Sequence, residues 1–187
     1  GMAENEDIYF QSVEARNNLY NEMPDIVNNY MNSINKLTGK DYKPFNYYGS
    51  NRATNIIIAM GSVCDTVKLV VNDLISKGKD VGLIEVHLYR PFSLKYLLNV
   101  LPITVKNIAV LDRTKEAGSV GEPLYLDVVS VLRNKNINIV GGRYGLSSKN
   151  TTPDQINAVF KMLDGKLKDN FTIGINDDVT NLSLDIE

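Results

Sequence analysis

The sequence has one cysteine, Cys64, one histidine, His87, and no tryptophan. A lone thiol excludes a disulfide framework, a cysteine-rich zinc site and a cysteine-ligated iron–sulfur cluster within this chain. A lone histidine restricts any Ser–His or Cys–His pair to one that uses His87. Lys and Arg number 20 against 22 Asp and Glu, so the formal net charge of −2 offers no basic field for nucleic acid and no polybasic patch for a membrane. No apolar run approaches the roughly 18 residues of a membrane span. Met2 is followed by acidic and polar residues rather than by a signal peptide, which makes the cytoplasm the expected location. Gly1 reads as a remnant of tag removal.

What is present is ordinary for a globular protein: 187 residues, 43% hydrophobic and 22% charged. That length suits one well-packed domain with an appendage of about forty residues. Residues 1–50 form the appendage, an arm rich in Asn and Tyr. Val13, Ala15, Leu19 and Tyr20 predict a first helix, with Met23-Pro24 as a break. Ile26, Val27, Tyr30, Met31, Ile34 and Leu37 recur at helical spacing and predict a second, which Gly39 closes in a left-handed conformation. The aromatic stretch from Tyr42 to Tyr48 is extended. It either straps across a neighbouring surface or caps this domain's own core.

From residue 51 to 176 strands alternate with helices. Asn55–Met60 is a β-branched strand, Val63–Lys77 a helix closed by Gly78, and Val81–Tyr89 a second strand. Ser93 caps a helix carrying Leu94, Leu97, Leu98 and Leu101, which Pro102 ends. Ile108–Leu111 is a third strand, followed by the polar Asp112 to Glu116 and a helix from Glu122 to about Leu132. Ile137–Val140 is a fourth strand, running into a turn at Gly141-Gly-Arg-Tyr-Gly145. Thr152-Pro153 opens a helix to about Leu163 with a threonine cap and proline at its first position. Phe171–Gly174 supplies a last edge strand, and 177–187 is a tail. Strand alternating with helix implies βαβ units, a mainly parallel doubly wound sheet and helices on both faces.

The segment Ile108–Val129 marks the place where open α/β sheets hold ligands or meet partners, a strand emptying into a charged, glycine-punctuated loop before a helix. Gly61-Ser62 occupies the equivalent position after the first strand of the domain. The dinucleotide pattern needs three glycines at fixed offsets, the phosphate loop needs Gly-Lys-Ser/Thr, and the nucleophile elbow needs glycines flanking its serine; none is met. Gly61 and Ser62 therefore read as a tight turn or a weak anion contact. Cys64 reads as a buried, inert thiol. Asp112 sits where receiver domains carry a phosphoacceptor, but Met60-Gly61 lacks the acidic pair that would hold magnesium. Arg113, Lys115 and Arg143 gather near one sheet edge, either to hold phosphate or carboxylate or to form solvated or inter-domain salt bridges. His87 reads as a structural, hydrogen-bonded histidine. No catalytic set and no metal site emerges.

Longer blocks carry more. Ile8-Tyr-Phe-Gln11, Tyr47-Tyr-Gly49, Met60-Gly-Ser-Val-Cys64, Leu88-Tyr-Arg-Pro-Phe92 and Leu111-Asp-Arg-Thr-Lys-Glu116 resemble pyruvate:ferredoxin (flavodoxin) oxidoreductase. So do Gly121-Glu-Pro-Leu-Tyr-Leu-Asp127, Gly141-Gly-Arg-Tyr-Gly-Leu146 and Thr151-Thr-Pro-Asp154. The resemblance runs from about Ile8 to Leu163 and falls on the family's internal domain II, which is similar to the C-terminal domain of transketolases. It implies a three-layer α/β/α sandwich whose mostly parallel sheet has one antiparallel edge strand. It also implies a long multidomain parent, a homodimer that decarboxylates pyruvate oxidatively, forms acetyl-coenzyme A and reduces ferredoxin or flavodoxin. That parent uses thiamine diphosphate, magnesium, iron–sulfur clusters and coenzyme A. None of these is expected in this chain, which lacks the cysteines and the Gly-Asp-Gly…Asn motif. The expectation is an excised structural and docking domain, inactive alone, whose partners are other domains of the same polypeptide. The alternative is a free-standing α/β module for a small anion at Gly61, Lys115 and Arg143.

Overall fold

The apolar run after Asn55 becomes the centre of a six-stranded sheet in a computed structural model that describes residues 5–186. Gly1, Met2 and Glu187 lie outside the described residues. The strands are β1 (Phe45–Gly49), β2 (Asn55–Ala59), β3 (Val81–Val86), β4 (Asn107–Asp112), β5 (Asn138–Arg143) and β6 (Phe171–Thr172). They lie in the order β1-β3-β2-β4-β5-β6. All neighbours are parallel except β1, which pairs antiparallel with β3. The α/β sandwich and its antiparallel edge therefore match the fold implied by the family resemblance.

Helices α1 (Glu6–Ala15) and α2 (Asn17–Thr38) form the arm, and α3 (Val63–Ser76), α4 (Leu94–Val100), α5 (Pro123–Leu132) and α6 (Pro153–Asp164) cover the sheet. Alternation along each central strand sends side chains into two separate cores. Ile57, Ala59, Leu83 and Leu111 meet Val67 and Val71 of α3 and Ile156 and Val159 of α6. Ile56, Ile58, Ile84 and Val110 meet Leu97 of α4 and Leu124 and Val128 of α5. Because both faces are covered, β2 is buried at all five residues, which is why it reads as an unbroken apolar run rather than as an alternation. At the amino ends of the strands, Asn107 Nδ2 donates to Asn55 Oδ1 and Asn138 Nδ2 to Asn107 Oδ1, each at 2.9 Å, holding three strands in register.

Three local expectations change and one open alternative is decided. Pro24 does not break the arm; it lies buried inside α2, and the two helices of the arm are divided instead at Arg16. The next residue, Asp25, accepts from Lys95 Nζ at 2.7 Å and Tyr96 Oη at 2.6 Å, so α2 touches α4 at the point where proline removes a backbone donor. The strand β3 ends at Val86 and not at Tyr89, since the His87 and Leu88 amides turn back onto the Pro44 carbonyl. The pair Gly141-Gly142 is not a turn but part of β5, where the rings of Tyr125 and Phe171 occupy the space a side chain would fill. The Tyr42–Tyr48 stretch contributes β1, with Phe45 fully buried in the domain's own core and edge-on to Phe92.

Candidate functional site

Strand order reverses between β2 and β4: the chain leaves β2 for β3 on one side, then returns across it to β4. Loops after the carboxyl ends of two such strands diverge and leave a crevice. Here the crevice is a cavity of about 330 Å³ lined by Gly61, Ser62, Tyr89, Asp112, Arg113 and Tyr144. A smaller cavity of about 170 Å³ adjoins it, between the start of α3 and the 144–151 loop, with Ser62, Arg113 and Lys149 in its wall.

Asp112, the last residue of β4, is 3% exposed and faces the start of α5. Its Oδ1 accepts from the Leu124 amide and its Oδ2 from the Tyr125 amide, both at 3.0 Å. The carboxylate thus satisfies two of the free donors at that helix end, a role normally taken by the residue preceding the helix. Burial raises the Asp112 pKa, the two amide hydrogen bonds oppose that rise, and the neighbouring Glu122 and Asp127 carboxylates add to it. Its task is structural: it joins strand to helix.

Glu122 holds the usual capping position but makes no capping bond. It is 4% exposed and lies at the hub of a charge cluster. Oε2 accepts from the Glu116 amide at 2.6 Å, while Oε1 lies 3.4 Å from Arg143 Nη1 and 3.6 Å from Lys115 Nζ. Arg143 also binds Asn170 through its side-chain oxygen and, at 3.1 Å, its carbonyl. The structure therefore splits the five candidate contacts. Gly61, Ser62 and Arg113 meet at the crevice. Lys115 and Arg143 point to Glu122, where they also border a separate cavity of about 400 Å³ beside Ile173 and Leu182. Arg113 donates through Nε to the Gly145 carbonyl at 2.9 Å and has no ion pair among the described residues.

Glu122 was the residue that sequence reasoning missed. A signal existed: glutamate is a poor cap, so a glutamate immediately before the first-position proline points to another duty and another capping group. Cys64 is 2% exposed, and burial pushes its thiol up to about 12, the nearby Glu85 acting in the same sense. His87 Nδ1 is 3.1 Å from the Lys43 carbonyl and its ring meets Tyr42 edge-on, so the histidine fastens β1's approach to β3. Among the described residues no group of three His, Cys, Asp or Glu is placed to hold a metal ion, and no helix is long and apolar enough to cross a membrane.

The model of pyruvate:ferredoxin oxidoreductase core domain II matches residues 53–156, more than half the chain. This chain belongs to that family. The pyruvate-flavodoxin oxidoreductase of Enterobacter agglomerans is 52% identical over 98% of the chain, and the pyruvate:ferredoxin oxidoreductase of Moorella thermoacetica is 53% identical over all of it. In both cases the chain spans only 16% of the relative's length. Among solved structures, the 2-oxoglutarate:ferredoxin oxidoreductase of Magnetococcus marinus, determined with 2-oxoglutarate, coenzyme A and succinyl-CoA bound, superimposes with a TM-score of 0.55. It is 16% identical, covers 86% of this chain and 24% of its own, and supports the fold alone.

Proposed function

We propose that this domain is a structural and docking unit of a pyruvate:ferredoxin (flavodoxin) oxidoreductase. The parent polypeptide oxidatively decarboxylates pyruvate, passes the acetyl group to coenzyme A and delivers electrons to ferredoxin or flavodoxin. The carrying observation is identity above 50% along essentially the whole chain to two such enzymes, of which it forms a small part. Under this reading thiamine diphosphate with magnesium, the iron–sulfur clusters and coenzyme A bind elsewhere in the parent, a homodimer. The donors in this chain do not fit the clusters, whose ligands are thiolates: its one thiol is buried and held protonated. The test compares the full-length polypeptide with the 187-residue chain for pyruvate- and coenzyme A-dependent reduction of ferredoxin. Turnover is expected only in the former. Stoichiometric, tight binding of thiamine diphosphate to the 187-residue chain in a calorimetric titration would overturn the proposal.

A second reading rests on Arg113. Its guanidinium has no carboxylate partner among the described residues and shares the 170 Å³ cavity with Lys149 and Ser62, a set suited to a small phosphate or carboxylate. A thermal-shift series with inorganic phosphate, nucleotides, coenzyme A and acyl phosphates tests it. Stabilisation lost in Arg113→Ala supports the site, and a response equalled by chloride at the same ionic strength sinks it.

A further inference from the structure

α2 carries a broad apolar band, and only one side of it is used. Pro24, Val27, Met31 and Asn35 turn toward the domain; Pro24 is buried, the other three are half-buried, and Asn35 bonds the Tyr42 backbone in both directions at 2.7 and 2.8 Å. Beside it, a line of Leu19, Met23, Ile26, Tyr30, Ile34 and Leu37 recurs at intervals of three and four. At 100° per residue these six fall within an arc of about 80°, and at 1.5 Å rise they form a stripe roughly 27 Å long. All six are exposed, from 36% for Met23 to 87% for Leu37.

The flanks of the stripe are as unusual as the stripe. An exposed helix face is ordinarily solvated by Lys and Glu, yet the 22 residues of α2 contain seven asparagines and only Glu22, Asp25 and Lys36 as charged residues. Asp25 is already engaged by Lys95 and Tyr96. Depletion of charge around a core of aromatic, Met and aliphatic side chains is the composition of the buried centre of an interface. An exposed apolar patch beyond a few hundred Å² marks an interaction surface.

We infer that this stripe of α2 is the surface by which the domain docks onto another domain of the same polypeptide, an inference that rests on the oxidoreductase reading above. Two observations select that occupant over a second copy of the chain. The chain covers 16% of each relative, so most of the polypeptide able to bury the stripe lies outside it. Pairing of two α2 helices is ordinarily specified by complementary charges beside the seam, and the flanks offer asparagine instead. A covalently attached domain needs no such device, because its effective concentration is already in the millimolar range.

Met23 and Tyr30 are natural probes, since both react readily with hydroxyl radicals when exposed. Footprinting of the 187-residue chain and of the full-length polypeptide carrying this segment should show labelling at both positions several-fold lower in the latter. Ile26→Ser and Leu37→Ser add a second readout: each should leave the melting temperature of the 187-residue chain unchanged and lower that of the full-length protein. Equal labelling in a full-length enzyme that turns over pyruvate would overturn the docking surface and leave the functional reading standing. Protection in a full-length protein inactive toward pyruvate would support the surface and sink the pyruvate reading. Protection in the 187-residue chain alone that grows with its concentration, accompanied by dimers in sedimentation, would overturn this occupant in favour of a second copy.

Discussion

Asp112 and Leu124 are twelve residues apart in the chain, and the carboxylate of one accepts from the amide of the other at 3.0 Å. This bond, with its twin to Tyr125, makes the carboxyl end of β4 the cap of α5. The charged loop between them is consequently closed at both ends.

Removal of that cap has a definite expected effect. Asp112→Ala should destabilise the domain by about 1–2 kcal/mol, the range for loss of a helix cap, measured by urea unfolding. The pH dependence follows from the raised pKa of Asp112. A folded pKa above the unfolded one means that the stabilisation is complete below the unfolded value and is lost as pH rises through the folded one. The stability of the wild type relative to Asp112→Asn should therefore decline as pH rises from the ordinary carboxylate range. A flat difference from pH 3 to 7 would contradict the assignment (a window of about four units).

Glu122 neutralises two cations from an almost fully buried position. Glu122→Gln leaves Arg143 buried without its counter-charge and should cost about 3 kcal/mol or more. Because the penalty lies in the stranded charge, the double variant Glu122→Gln/Arg143→Met should recover a substantial part of it. Strict additivity of the two single losses in a double-mutant cycle would show that the residues do not act as a pair.

Gly142 lies under the ring of Phe171, which fills the volume a Cβ would need. Gly142→Ala should displace that ring from the core between β5 and β6 and cost about 1–3 kcal/mol, as overpacking does. Near-ultraviolet circular dichroism and thermal unfolding together would register it. An unchanged melting temperature would mean that the ring moves freely.

Cys64 should be inert in the folded state. Burial holds its thiol protonated, with its pKa pushed up to about 12, so modification by a thiol-reactive disulfide at pH 8 should await unfolding. Rapid stoichiometric modification of the native protein would contradict the burial.

Much of this architecture was legible before folding. The β-branched run at Ile56–Ile58, the Ser93 and Thr152 caps, Pro153 at a first helical position and the left-handed Gly39 are decided within a few residues by periodicity and backbone chemistry. They suffice for the order of elements and the α/β class, and the length of the similar blocks suffices for the family. What the local chain could not decide were matters of approach between distant parts. Pro24 stays within a helix with its ring buried against the domain, and beside it Asp25 is bonded to Lys95 and Tyr96, some seventy positions along the chain. Gly141 and Gly142 form a strand because two aromatic rings from α5 and β6 lie on them. Arg143 becomes a structural residue because Glu122 and Asn170 converge on it in three dimensions. The one-dimensional pattern determined which residues form strands and helices; the packing of the sheet alone determined which charges meet and which are left facing outward, because a charge takes its role from the partner that folding brings within a few ångströms.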